Sequence, residues 1–170
     1  MKTTKLICLS VLLGASLITS AAAQPSSTST LKSVLHHYIN IQSALARDSM
    51  ENFSASAEAV ATVVRGDETK SVPATIADQA EALAKARNIA GARKAFKSLS
   101  GSLIAYLKVN TAPAGTYYEV YCPIAKASWL QTSETVKNPY LGLRSATATW
   151  GWACAGVVKA KYENPPSGKG

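Results

Sequence analysis

The stretch Leu31-Lys32-Ser33-Val34-Leu35-His36-His37-Tyr38-Ile39-Asn40-Ile41-Gln42-Ser43-Ala44-Leu45 decides the reading of the fold. Leu31, Val34, Leu35, Tyr38 and Ile39 recur at spacings of three and four, and Leu45 continues the same face; this is the period of an amphipathic helix. The same pattern recurs downstream. Asp48, with Glu51 three residues later, resembles a capping box. Met50, Phe53, Ala57, Val60, Ala61 and Val64 then make a second apolar stripe, stopped by Gly66, with a loop running to Pro73. A third helix is predicted from about Thr75 to Arg87 on the narrow face Ile76, Ala80, Leu83 and Ala84. Asn88 is the expected cap of a fourth, carried by Phe96, Leu99, Leu103, Tyr106 and Leu107 and closed by Pro113. Four such helices on short loops predict an antiparallel four-helix bundle.

The character of the chain changes after Gly115. Eight of its twelve aromatic residues lie between Tyr117 and Tyr162. Tyr117, Glu119 and Tyr121 alternate with Tyr118, Val120 and Cys122, as in a half-buried strand. Cys122-Pro123 ends it, because proline has no N–H for the ladder. Asn138-Pro139-Tyr140-Leu141-Gly142 is turn chemistry, and Ala153 to Lys159 reads as a second strand. The expected fold is therefore mainly α, a four-helix antiparallel bundle with a small aromatic-rich C-terminal segment containing a short β-hairpin. Tyr117, Tyr118, Tyr121, Trp129, Tyr140, Trp150 and Trp152 read as the cement between the two parts, since each aromatic ring buries about 150–250 Å². Tyr162 to Gly170, with Pro165-Pro166, reads as a tail.

The N-terminus has a different composition. Lys2 and Lys5 precede an apolar run from Leu6 to Ile18, and Ala21-Ala22-Ala23 follows as an A-x-A cleavage site. Residues 1–23 are therefore expected to be a signal peptide, 24–30 a linker, 31–160 one helical domain and 161–170 a flexible tail. Cleavage after Ala23 takes the 170-residue chain from a formal charge of +8 to 147 residues at +6, and leaves Cys122 and Cys154. The expected location is periplasmic or secreted, with no stable membrane insertion after cleavage. The charge is spread along the chain rather than blocked, so nucleic acid is not an expected partner.

No catalytic constellation is present: there is no His-Glu-x-x-His, no Gly-x-Ser-x-Gly and no phosphate-cradling glycine loop. The chain is not read as an enzyme. Chemistry is left to Cys122 and Cys154, which admit three readings. A disulfide would close a loop of about 32 residues and contribute roughly 3–4 kcal/mol. A pair of thiolates could hold one soft ion. Unpaired thiols would be buried and inert. His36 and His37 are adjacent, about 100° apart on a helix, and cannot share one face. Met50 is assigned to packing.

Several of these elements resemble one family. Tyr121-Cys122-Pro123-Ile124-Ala125, Trp129-Leu130, Asn138-Pro139-Tyr140-Leu141-Gly142 and Cys154 are similar to a bacterial domain of unknown function, DUF3347. Tyr38 to Asp48 resembles the first helix of that family, and Ala92-Arg93-Lys94-Ala95-Phe96 with Leu99-Ser100 its last. The resemblance implies a periplasmic helical domain, found alone or attached to the adaptor subunits of heavy-metal efflux systems. Such an adaptor is the partner it implies. It also implies Cu(I) or another soft ion, held by two thiols and two thioethers. Here Ile124 replaces the first of those methionines and no Met lies between Gly142 and Cys154. The interval Leu143–Ala153 is open to reading as an insertion or an altered motif. The ligands carry over only to Cys122 and Cys154.

Overall fold

The computed structural model describes residues 27–144 and 156–164. The segment expected to be a signal peptide, Trp150, Trp152 and Cys154 lie outside them. Four helices, α1 (Ser27–Ala46), α2 (Phe53–Arg65), α3 (Ala74–Ala84) and α4 (Ile89–Leu107), precede three strands, β1 (Thr116–Cys122), β2 (Ala127–Gln131) and β3 (Val157–Glu163). The fold is mainly α. The sheet is antiparallel in the order β2-β1-β3, so it has three strands where a hairpin was expected.

Most of the predicted apolar faces are buried, with Ile39, Met50, Ala84 and Tyr106 half-buried at their margins. Leu31, Val34, Leu35, Tyr38 and Leu45 of α1 meet Phe53, Ala57, Val60 and Val64 of α2, Ile76 and Leu83 of α3, and Phe96, Leu99 and Leu103 of α4 in one core. Successive helices pack on one another in chain order, and β2 lies against both α1 and α4. Arg65 ties α2 to α3 through Asp78 at 2.5 Å and Glu81 at 3.1 Å, though such exposed pairs contribute little. Asp67 organises the loop after α2: its buried carboxylate accepts from Thr69, from the Ser71 hydroxyl and amide, and from the Val72 amide. These donors hold its pKa down at about 2.

Several boundaries differ from expectation. The Ser/Thr segment placed in a linker begins α1 at Ser27, and Thr30 is buried. Asp48 does not cap α2. Both Asp48 and Asn52 take left-handed conformations (φ 56° and 55°), and the helix starts at Phe53 behind Asn52. Asp48 is instead drawn to Arg93 across the fold. Asn88 caps α4 as predicted, its side chain accepting from the Gly91 amide at 2.8 Å.

In β1 the alternation breaks at Glu119 and Val120, which are both buried. The two point to opposite faces of an unbroken strand, so both faces of β1 are covered here; the bulge opposite them belongs to β3, where Lys159 is the extra residue between Val158 and Ala160. β2 is buried at four of its five positions, so no period-two signal marked it. β3 runs on to Glu163 and carries Tyr162, which the sequence pattern had left in a tail.

The two edges of the sheet are built differently. The Leu130 N–H and the Ser128 carbonyl point away from β1. The first donates to the Tyr38 hydroxyl at 3.0 Å, and the second accepts from the Tyr140 hydroxyl at 2.8 Å. The β2 edge is thereby closed by two phenols. Among the described residues no strand lies outside β3.

Candidate functional site

Cys122 is the last residue of β1, fully buried, with a free thiol. Pro123 follows and turns the chain into the hairpin, where Lys126 takes a left-handed conformation (φ 48°). The Ala125 amide donates to Sγ at 3.4 Å, and Ala127 of β2 stands opposite Cys122 in the ladder. The Lys97 ammonium of α4 donates to the Ala125 carbonyl at 3.3 Å and fixes the turn to the helix.

A wall of rings and hydroxyls stands behind this turn. Tyr38 stacks on Phe96 at 5.0 Å, Phe96 meets Tyr140 at 5.9 Å, and Tyr140 meets Trp129 edge-on at 5.8 Å. The Tyr38 hydroxyl and Ser100 Oγ share a hydrogen bond at 2.7 Å. Burial raises the pKa of both phenols well above the usual value. The Tyr140 phenol adds to the effect at Tyr38, whereas at Tyr140 the Ser100 hydrogen bond opposes it and the Cys122 thiol adds to it. These phenols are neutral hydrogen-bonding groups at ordinary pH. The expected aromatic cement is therefore built differently: Tyr38 and Phe96, both from helices, join Trp129 and Tyr140. Tyr121 lies on the half-buried side of β1, with the Lys159 ammonium 5.8 Å from its ring centroid.

The Asn138–Gly142 turn holds Tyr140 in place. Asn138 Oδ1 accepts from the Tyr140 and Leu141 amides at 2.9 and 3.2 Å, and the Asn138 carbonyl accepts from the Gly142 amide at 2.9 Å. Gly142 is left-handed (φ +60°), and a Cβ there would run into the Asp48 carboxylate and the Arg93 guanidinium. Arg93 donates to the Pro139 carbonyl at 2.7 Å, to the Leu45 carbonyl at 3.0 Å and to Asp48. Asp48 also accepts from the Leu143 amide at 2.9 Å. Its hydrogen bond with Arg93, then that with Leu143, lowers its pKa. One guanidinium thus joins the end of α1, the start of α4 and the turn. The turn itself was legible in Asn138-Pro139. Arg93 and Asp48 had no signal, because their partners are more than 40 residues apart in sequence.

Of the predicted ligands, Cys122 sits at this wall and Cys154 lies outside the described residues. His36 is exposed and His37 half-buried on α1, their rings in edge contact at 5.2 Å. Burial, then the charge of His36, lowers the His37 pKa. Among the described residues no group of three or more His, Cys, Asp and Glu is assembled to hold a metal. Met50 packs against the core, as assigned. No described helix is long and apolar enough to cross a membrane.

Residues 34–114 match the family described as protein of unknown function (DUF3347). The helical part of the chain is similar to that family. The match covers α1 from Val34 through α4 and stops before β1, so Cys122 and the Asn-Pro-Tyr turn lie beyond it. No curated protein and no solved structure matches the chain significantly.

Proposed function

We propose that this DUF3347-like protein is an exported, non-enzymatic binding domain for a soft metal ion of the Cu(I) type, serving heavy-metal handling or efflux. Its helices act in this reading as an antiparallel bundle that supports the sheet. Cys122 and Cys154 supply two thiolates, a donor set suited to two-coordinate Cu(I). A periplasmic efflux adaptor is the partner. The observation that carries the reading is the free thiol of Cys122, buried at the end of β1. Its neighbour Tyr121 pairs with Val157, three residues after Cys154. Of the described residues Cys122 alone contributes a soft donor here, so the site depends on both sulfurs.

Anaerobic titration of the reduced protein with Cu(I), competed against a chelator, tests this. The parent is expected to take up a single ion, and Cys122→Ser and Cys154→Ser each to lose it. Thermal unfolding without copper checks that the variants fold. Equal uptake by Cys122→Ser overturns the ligand assignment.

A second reading is favoured by the missing thioethers: Ile124 is 55% exposed at the position where the resemblance has Met. In it, Cys122 and Cys154 form a disulfide that staples an interaction domain with no metal. Thiol counting on protein taken directly from its compartment separates the two. No free thiol supports the disulfide, and two support the metal site.

A further inference from the structure

We propose that the C-terminal half of β3 is a self-complementary edge through which two copies of this chain pair into a continuous six-stranded sheet. The direction of the backbone groups follows from the closed edge. Ser128 and Leu130 point away from β1, so their neighbours in β2 bond to it, and the alternate residues Tyr117, Glu119 and Tyr121 of β1 point towards β3. Tyr162 pairs with Tyr117 and Ala160 with Glu119. The N–H and C=O groups of Lys161 and Glu163 therefore face outwards.

The two halves of this edge are not equivalent. The first half is blunted. Its register is broken by the bulge opposite Glu119 and Val120, and the Lys159 ammonium lies 5.8 Å from the Tyr121 ring centroid. Bulges and lysines are the usual protections of an open edge. The second half carries no bulge and is firmly seated. The Tyr162 hydroxyl donates to the buried Glu119 carboxylate at 2.6 Å, and the Lys108 ammonium lies 3.8 Å from the same carboxylate. Lys161 and Glu163 stand side by side on the outer surface, 3.0 Å apart and each about half exposed.

A two-fold axis at Tyr162 sets Lys161 opposite the Glu163 of a second copy and Glu163 opposite its Lys161. Both are the outward-facing residues, so reciprocal backbone hydrogen bonds close at each pair. The four side chains then alternate in charge around the axis. A register centred on Ala160 would instead set Lys159 against Lys161, like against like. Charge thus selects both the partner, which is a second copy, and the register, which is isologous. Pro165 has no N–H to extend the ladder beyond this short stretch. The pairing is independent of the metal reading and uses none of its ligands.

Sedimentation velocity over a concentration series of the full chain, reduced and metal-free, tests the pairing. The parent is expected to show a concentration-dependent dimer. K161E and E163K each set like charges opposite at both pairs and should weaken it about tenfold. The double variant K161E/E163K restores alternation and should recover the parent affinity. Far-UV circular dichroism checks folding, and the double variant keeps the test decisive if one single variant fails to fold. A parent that stays monomeric up to ~1 mM overturns the proposal. So does a dimer indifferent to the single reversals, or one that the double variant does not restore.

Discussion

The two edges of the sheet solve one problem in opposite ways. An outer strand presents backbone N–H and C=O groups that need partners. At β2 those groups meet side chains: Leu130 donates to Tyr38 and Ser128 accepts from Tyr140, both within the fold. At β3 they face out, beside charges that are neutral in sum. The closed edge contributes to the stability of one chain. Among the described residues no strand meets the groups of the other edge. Stability should therefore be concentrated on the β2 side, and substitutions can test that asymmetry.

The largest effect is expected at Tyr38. Tyr38→Ala removes a fully buried ring and should cost about 3–5 kcal/mol in urea unfolding. Tyr38→Phe keeps the ring but strands the Leu130 N–H and the Ser100 hydroxyl, at about 1–3 kcal/mol. In hydrogen exchange the Leu130 amide should lose its protection in Tyr38→Phe. A slow Leu130 amide in that variant would mean that the Tyr38 hydroxyl does not close the β2 edge.

Gly142→Ala comes next. It sets a Cβ between Asp48 and Arg93 at a left-handed position, so the clamp must part and the backbone is strained, at about 2 kcal/mol. The turn holding Tyr140 should loosen with it, seen as faster exchange of the Tyr140 and Leu141 amides.

Alkali sharpens the contrast. Burial raises the folded pKa values of Tyr38 and Tyr140 above that of a free tyrosine, about 10. A group whose folded pKa is raised contributes stability that is whole below its unfolded pKa, near 10, and is lost as pH rises through the folded value. Unfolding free energy should therefore fall above pH ~10. Tyr140→Phe should make that fall shallower while lowering stability at neutral pH by about 1 kcal/mol. Tyr162 also has a raised pKa, through burial and the Glu119 carboxylate, so a residual slope should remain.

The smallest effects belong to the open edge. Val158→Thr, at a position 45% exposed, should change the stability of the single chain by less than about 0.5 kcal/mol. A larger loss would mean that β3 is covered within one chain.

Legibility followed the range of the interactions. The face of α1 and the Asn88 cap are repeated or local signals and could be read directly. Asp48 looked like a cap because Glu51 follows it, but its carboxylate is engaged by Arg93 and Leu143. β2 gave no signal, because a five-residue strand covered on both faces has no alternation to show. Of the site, Cys122-Pro123 as a strand end and the Asn138 turn were readable. The chain of rings was only half so, since Tyr38 and Phe96 arrive from helices far away in sequence.

Amino-acid order alone determined the four amphipathic helices, the Asn88 cap, the end of β1 at proline and the shift to aromatic composition. Each depends on neighbours a few residues away, through periodicity or a missing N–H. Tertiary structure alone decided that Tyr38 and Tyr140 close one edge while, among the described residues, no strand lies outside β3, and that Glu119 is buried opposite a bulge. It also decided that Arg93 ties three elements together. Those outcomes depend on which distant groups reach hydrogen-bonding distance once the core has formed, and no local pattern encodes that.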